Sequence, residues 1–119
     1  MIERLVSVYK LWHEYRDNFP KKSRYTLGDK IDTTFLEVIE YVFSAAGAAK
    51  TKKLSYLLSA SQKLDIVKFL LRIAWETKVL DNKKYILISE PLNEIGRMIG
   101  GWHRKILSET PAVYAGEER

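Results

Sequence analysis

The fold is decided most clearly by the stretch Tyr85-Ile-Leu-Ile-Ser-Glu-Pro-Leu-Asn-Glu-Ile-Gly-Arg-Met-Ile-Gly-Gly-Trp-His-Arg-Lys-Ile106. Its apolar residues alternate by three and four positions, which is the spacing of a helix that packs in a bundle. The residues of this seam are Tyr85, Ile88, Leu92, Ile95, Ile99, Trp102 and Ile106. Pro91 interrupts the seam, so that either one helix kinks there or a new helix begins with Ser89 as its N-cap.

Three other stretches of the chain have the same helical spacing. They predict helices over Ile2–Asn18, from Ser23 or Thr26 to Ala49, and from Thr51 to Val79. Phe19-Pro20 ends the first helix, because the residue before proline is disfavoured in helical backbone. Ser23 or Thr26 is expected to cap the second helix, with Asp29 completing a box-like arrangement three residues after Thr26.

Short connections between long helices favour antiparallel neighbours. The sequence therefore predicts an all-α, up-down-up-down four-helix bundle over residues 1–110 and a disordered tail over residues 111–119. Two of the helices are more apolar than a single buried face requires. The second adds Leu36 and Phe43, and the third adds Ile66, Phe69 and Ile73. These five residues are either buried on a second side within the bundle or form an interface between copies, and we favour self-association.

The sequence contains none of the motifs by which a catalytic or metal site would be recognised. The chain has no cysteine, and its two histidines, His13 and His103, are not part of a Glu-x-x-His pair. It has neither a Gly-x-Ser-x-Gly elbow nor a glycine-rich phosphate loop. We therefore expect no catalytic residue, metal or cofactor. With no apolar run of 18 residues and no targeting segment, we expect a cytoplasmic protein that does not enter a membrane.

The basic residues are the informative set, because the formal net charge is +5 and they cluster at predicted helix starts. The clustered residues are Lys21, Lys22, Arg24, Lys50, Lys52, Lys53, Lys83, Lys84, Arg104 and Lys105. Cations are disfavoured at helix N-termini, whereas anions are favoured there. The antiparallel order would gather the clusters at the two ends of the bundle as phosphate-binding surfaces for RNA or DNA. The alternative is that loops simply collect solvated lysines.

Two further expectations follow from this arrangement. Contacts should be mainly to phosphates, because the clusters lack an aromatic stacking platform and Trp12 and Trp102 belong to core stripes. Replacing Lys52 and Lys53 with Glu should weaken binding and leave the fold intact, since acids suit a helix start.

Three segments resemble the accessory variability determinant proteins of diversity-generating retroelements. They are Arg24-Tyr-Thr-Leu-Gly-Asp-Lys-Ile31, Lys63-Leu-Asp-Ile-Val-Lys-Phe-Leu-Leu-Arg72 and Glu94-Ile-Gly-Arg-Met-Ile-Gly-Gly-Trp102. The similarity extends from about Tyr9 to Ile106. The related ribosomal-RNA intervening-sequence proteins usually carry Ser-Ile-Pro-Ala-Asn-Ile-Ala-Glu-Gly, which is absent here, so the retroelement branch is favoured.

This resemblance implies a four-helix bundle that assembles into a homopentameric barrel. It also implies a basic surface that binds a reverse transcriptase and its template RNA, in support of mutagenic reverse transcription and without catalysis by the accessory protein. A second hypothesis remains open, in which the chain is a homo-oligomeric helical scaffold that binds protein only.

Overall fold

The computed structural model describes residues 1–110, so the tail predicted over residues 111–119 lies outside the described residues. Four long helices, one short helix and one π-helical turn follow each other along this part of the chain. They are α1 (Ile2–Asp17), α2 (Lys21–Ser23), a π-helical turn (Arg24–Gly28), α3 (Asp29–Gly47), α4 (Lys50–Glu76) and α5 (Asn82–Ser108). Residues 1–110 contain no strand. The predicted all-α class with four long helices is confirmed.

Side-chain contacts fix the directions of the four long helices. In every neighbouring pair, residues late in one helix meet residues early in the other. The contacts are Tyr9–Asp32 and Arg16–Asp29 between α1 and α3, Lys53–Ala45 and Lys63–Glu37 between α3 and α4, Trp75–Tyr85 and Lys50–Glu109 between α4 and the α5 region, and Arg4–Glu94 and Lys84–Tyr15 between α1 and α5. Neighbours are therefore antiparallel, in an elongated molecule of 51 × 23 × 21 Å.

The core runs along the axis between the four long helices. The predicted seam of α5 supplies Ile88, Leu92, Ile95 and Ile99, each at most 1% exposed. Burying one such side chain contributes about 1.5–3 kcal/mol before the entropy of ordering it is subtracted. Trp12 is also fully buried, and Trp102 packs half-buried against the core, as the stripe positions predict.

The predicted caps of the second helix are wrong. Helical structure begins at Lys21, directly after Pro20, and continues through the π-helical turn into α3. Thr26 lies inside this turn, where its hydroxyl donates to the Lys22 carbonyl at 3.2 Å and caps nothing. Asp29 pairs instead with Arg16 of α1. Ser23 and Thr26 do not cap the helix because helical backbone already resumes at Lys21, directly after Pro20.

Pro91 neither ends nor restarts α5, which is one helix from Asn82 to Ser108. The N-cap is Asp81, whose carboxylate accepts a hydrogen bond from the Lys84 backbone N–H at 2.8 Å. Ser89 therefore has no capping role. Proline removes one backbone hydrogen bond from the helix, but the buried residues Ile88 and Leu92 on either side hold both halves against the core. No helix in the described part of the chain is long and apolar enough to span a membrane.

Candidate nucleic-acid interface

The ten predicted basic residues are gathered at the two ends of the bundle. One end holds Lys21, Lys22, Arg24, Lys83 and Lys84, and we call it the Lys21/Lys83 end. The other holds Lys50, Lys52, Lys53, Arg104 and Lys105, and we call it the Lys52/Lys105 end. This grouping follows from the antiparallel order, and Lys84 over Tyr15 and Lys50 beside Glu109 mark the two ends directly.

Arg24 is committed to the fold at the Lys21/Lys83 end. Its Nη2 donates to the backbone carbonyls of Asp17 and Phe19, at 3.3 and 3.2 Å. These carbonyls lie at and just beyond the C-terminus of α1, where a cation is favoured by the helix dipole. The half-buried Arg24 therefore closes α1 and has little freedom to meet a phosphate.

Lys84 also has an internal partner at this end. Its ammonium lies 5.6 Å from the centroid of the Tyr15 ring, within the range of a cation–π contact. Tyr15 is 7% exposed, and burial raises its pKa, with the nearby carboxylates of Asp81 and Glu14 adding to the shift. The tyrosine stays protonated and presents a neutral ring to Lys84.

Two lysines of the Lys52/Lys105 end also make contacts within the chain. The Lys53 ammonium donates to the carbonyls of Ala45 and Ala46, at 2.8 and 3.2 Å, and so closes the C-terminus of α3. Lys50 lies 3.5 Å from the Glu109 carboxylate in an exposed ion pair, which contributes little in solvent. Lys50 can therefore exchange Glu109 for a phosphate more readily than Lys53 can leave the α3 carbonyls.

The six remaining residues are exposed and form no ion pair with any carboxylate in residues 1–110. They are Lys21, Lys22, Lys52, Lys83, Arg104 and Lys105. The glycines at 100 and 101 leave space along α5 for Arg104, since a Cβ at Gly100 would stand 3.4 Å from its Nη1. Three of the predicted cations at each end therefore have no ion-pair partner in the described chain, and these form the candidate interface.

The Lys21/Lys83 end carries an aromatic platform that was not predicted from the sequence. Trp75 of α4 stacks on Tyr85 of α5 with 4.8 Å between ring centroids and 9° between planes. Trp75 is 37% exposed, and its Nε1 donates to the Asn82 side chain. The expectation that the basic clusters lack a stacking surface is therefore wrong. The two rings lie ten residues apart across a loop, so no sequence spacing pointed to their contact.

The predicted flank residues lie on two separate surfaces. Leu36 and Phe43 of α3 are 39% and 71% exposed, and both follow the α1-facing residue Asp32 at helical spacing. Ile66 and Phe69 of α4 are 41% and 58% exposed, on the face turned away from the core. Ile73 is half-buried on the same face. The bundle formed by a single chain therefore does not bury Leu36, Phe43, Ile66 or Phe69.

A cluster of hydrogen-bonded polar groups joins α1 to α3. Asp32 accepts hydrogen bonds from the Tyr9 hydroxyl at 2.8 Å and from the Trp12 indole at 3.1 Å. Burial raises the pKa of Tyr9 to about 12, with the hydrogen bond to Asp32 and its charge as further causes. All three side chains are satisfied by one another. Within residues 1–110 no group of three or more His, Cys, Asp or Glu is placed to hold a metal ion.

A comparison with protein families matches the chain to a family described as bAvd-like, over residues 1–106. This range includes the segments on which the resemblance was based and all four long helices up to Ile106. No curated protein matches the chain, and no solved structure does.

Proposed function

The chain belongs to the bAvd-like family, and we propose that it is a non-catalytic accessory protein of a diversity-generating retroelement. In this role it binds the element's template RNA and its reverse transcriptase and supports mutagenic reverse transcription. The single observation that carries the proposal is the set of unpaired cations at the two ends of a bundle of this family.

Phosphate binding explains why cations stand where helix stability disfavours them. Lys21 and Lys22 begin α2, Lys52 lies in the first turn of α4 and Lys83 in the first turn of α5. Each costs roughly 0.3–1 kcal/mol beside the positive end of a helix dipole. A bound phosphate reverses that effect, because the ammonium groups and the free helix N–H groups then act on the same anion.

Self-association is the second part of the proposal. The Leu36/Phe43 surface and the Ile66/Phe69 surface lie on different flanks, so one can pack on the other in a neighbouring copy. Such a contact is heterologous, and it closes into a ring when the rotation from one copy to the next is a whole-number fraction of 360°. Family membership favours a homopentamer. A ring would repeat each basic end around one axis and raise avidity for a long RNA.

The reaction itself is assigned to the reverse transcriptase. Tyr9, Trp12 and Asp32 are hydrogen-bonded to one another between α1 and α3, and the proposed interface consists of lysine and arginine side chains that suit phosphate binding. We therefore assign this chain a binding role in the cytoplasm and neither catalysis nor a cofactor.

Reconstitution tests this proposal. Synthesis of cDNA on the template RNA by the retroelement's reverse transcriptase is measured with and without the purified chain. We expect the chain to be required, and the double variant Lys21→Glu/Lys83→Glu to lose most of the effect. The matched control is Lys10→Glu/Arg97→Glu, which makes the same charge change at exposed mid-helix positions and should retain activity.

Two results would contradict the proposal. If cDNA synthesis is the same with and without the chain, the accessory role is wrong. If the chain is required but binds no RNA at low salt, it is a protein-only scaffold, and its exposed apolar flanks then carry the function.

A further inference from the structure

We propose that the Trp75–Tyr85 stack, together with Lys78 and Lys83, binds an unpaired base of single-stranded RNA. The inference rests on the proposed RNA-binding function and specifies the form of RNA that the Lys21/Lys83 end prefers. Phosphate contacts alone would not distinguish a single strand from a duplex, whereas base stacking requires an exposed base.

The aromatic pair is built as a rigid platform. Tyr85 packs against the core, Trp75 lies on Tyr85 in a nearly parallel stack, and Asn82 accepts the indole N–H. Tyr85 covers one face of the indole, and 37% of the Trp75 surface remains exposed to receive a base. An indole held in place loses little entropy when a base stacks on it, and stacking is tolerant of base identity.

The surroundings of the stack are suited to a phosphate backbone. Asn82 contacts the indole, and the next residue, Lys83, is exposed without an ion pair in the described chain. The two nearby carboxylates are occupied: Glu76 pairs with Arg72 at 3.2 Å, and Asp81 accepts the Lys84 backbone N–H. The cations can therefore act on the RNA.

Lys78 provides an independent observation. It has a φ of 63°, the one positive φ in residues 1–110, and it stands at the position after α4 where glycine is usually found. The motif is completed by the Val79 N–H donating to the Ala74 carbonyl at 2.9 Å and the Lys78 N–H to the Trp75 carbonyl at 3.0 Å. A lysine in left-handed backbone is strained, so the presence of Lys78 here is not explained by stability. Binding of a phosphate beside the platform would explain it.

Affinity for fluorescent oligouridine and for an RNA duplex of equal length tests the proposal with the full chain. Trp75→Leu should weaken binding of the single strand about tenfold, with duplex affinity and the salt slope unchanged, because stacking on the indole is not an ionic interaction. Tyr25→Leu is the matched control, since Tyr25 is 61% exposed and lies in the same end region. It should bind both RNAs like the parent.

Two further variants separate binding from folding. Trp75→Phe should keep the fold and lose the quenching of indole emission that oligouridine causes in the parent. Lys78→Gly should raise the melting temperature by a few degrees and yet weaken single-strand binding about two- to threefold, so that stability and binding change in opposite directions.

The failures are distinguishable. If the parent binds both RNAs and Trp75→Leu binds the single strand equally well, the platform is structural and the proposed function stands. If Tyr25→Leu loses as much affinity as Trp75→Leu, the assignment to the stacked pair is wrong. If the parent binds neither RNA, the proposed function itself fails.

Discussion

Charge reversal at Lys53 should destabilise the protein, whereas the same change at its neighbour Lys52 should not. Both lysines lie in the first turn of α4, and from the sequence alone both looked replaceable by Glu. However, the Lys53 ammonium closes α3 by donating to the Ala45 and Ala46 carbonyls at 2.8 and 3.2 Å. Lys53→Glu removes these hydrogen bonds and places a carboxylate beside the negative end of the α3 dipole.

The magnitude follows from three contributions. Loss of a partly buried cation at a helix C-terminus costs about 1–2 kcal/mol. Repulsion between the new carboxylate and the free carbonyls adds about 0.5 kcal/mol, and a more favourable acid in the first turn of α4 returns about 0.3–1 kcal/mol. Lys53→Glu should therefore destabilise by about 0.5–2 kcal/mol, while Lys52→Glu, at an exposed position, should be neutral or slightly stabilising.

Thermal and urea denaturation at fixed protein concentration measure the difference. At about 4 °C per kcal/mol for a domain of this size, Lys53→Glu should melt about 2–8 °C below the parent. Lys53→Met loses the hydrogen bonds without introducing a negative charge, so its melting temperature should lie between those of the parent and Lys53→Glu. Equal melting temperatures for Lys52→Glu and Lys53→Glu would refute the assignment of Lys53 to the end of α3.

Three other predictions concern the α1–α3 contact and the flanks. Asp32→Ala should destabilise by about 1–3 kcal/mol in urea, because Tyr9 and the buried Trp12 indole lose their acceptor, whereas Asp32→Asn keeps an acceptor and should cost less. The raised pKa of Tyr9 means that its stability contribution is complete below pH 10 and is lost as the pH rises towards about 12, so denaturation should find that the advantage of the parent over Tyr9→Phe shrinks across that range. If the chain forms the proposed ring, Phe43→Lys and Phe69→Lys should each reduce it to monomers in light scattering, and mixing the two variants should restore dimers, because each retains the surface that the other lacks. Two variants that stay fully oligomeric would exclude these flanks as the interface.

Features with a regular period were accessible from the sequence. The α5 seam was predicted because Ile88, Leu92, Ile95 and Ile99 repeat at the helical spacing, and all four are buried. The place of Phe43 beside the buried stripe of α3 left two alternatives, burial within the bundle or an interface between copies, and the structure shows that this side chain is 71% exposed. Periodicity reports which face meets the core, and this information is contained in one helix at a time.

Features that depend on contacts between helices were not accessible. The basic clusters were located correctly, but nothing in the sequence indicates that Lys53 reaches the α3 carbonyls or that Arg24 closes α1. The Trp75–Tyr85 stack is likewise set by the register of α4 on α5. At Pro91 the sequence left two alternatives open, because the local rule against proline in a helix competes with burial of the residues around it, and burial decides the outcome.

If the cations at the bundle ends bind phosphates, the affinity for RNA must depend steeply on the salt concentration. Affinity for the template RNA is measured from about 50 to 200 mM salt for the parent, for Lys21→Glu/Lys83→Glu and for the control Lys10→Glu/Arg97→Glu. The account predicts steep weakening with salt in the parent. The log–log slope should be smaller by about 0.7–0.9 for each phosphate that the end variant no longer neutralises, and it should be unchanged in the control. Absence of binding by the parent at the lowest salt, or equal weakening in the end variant and the control, would contradict it.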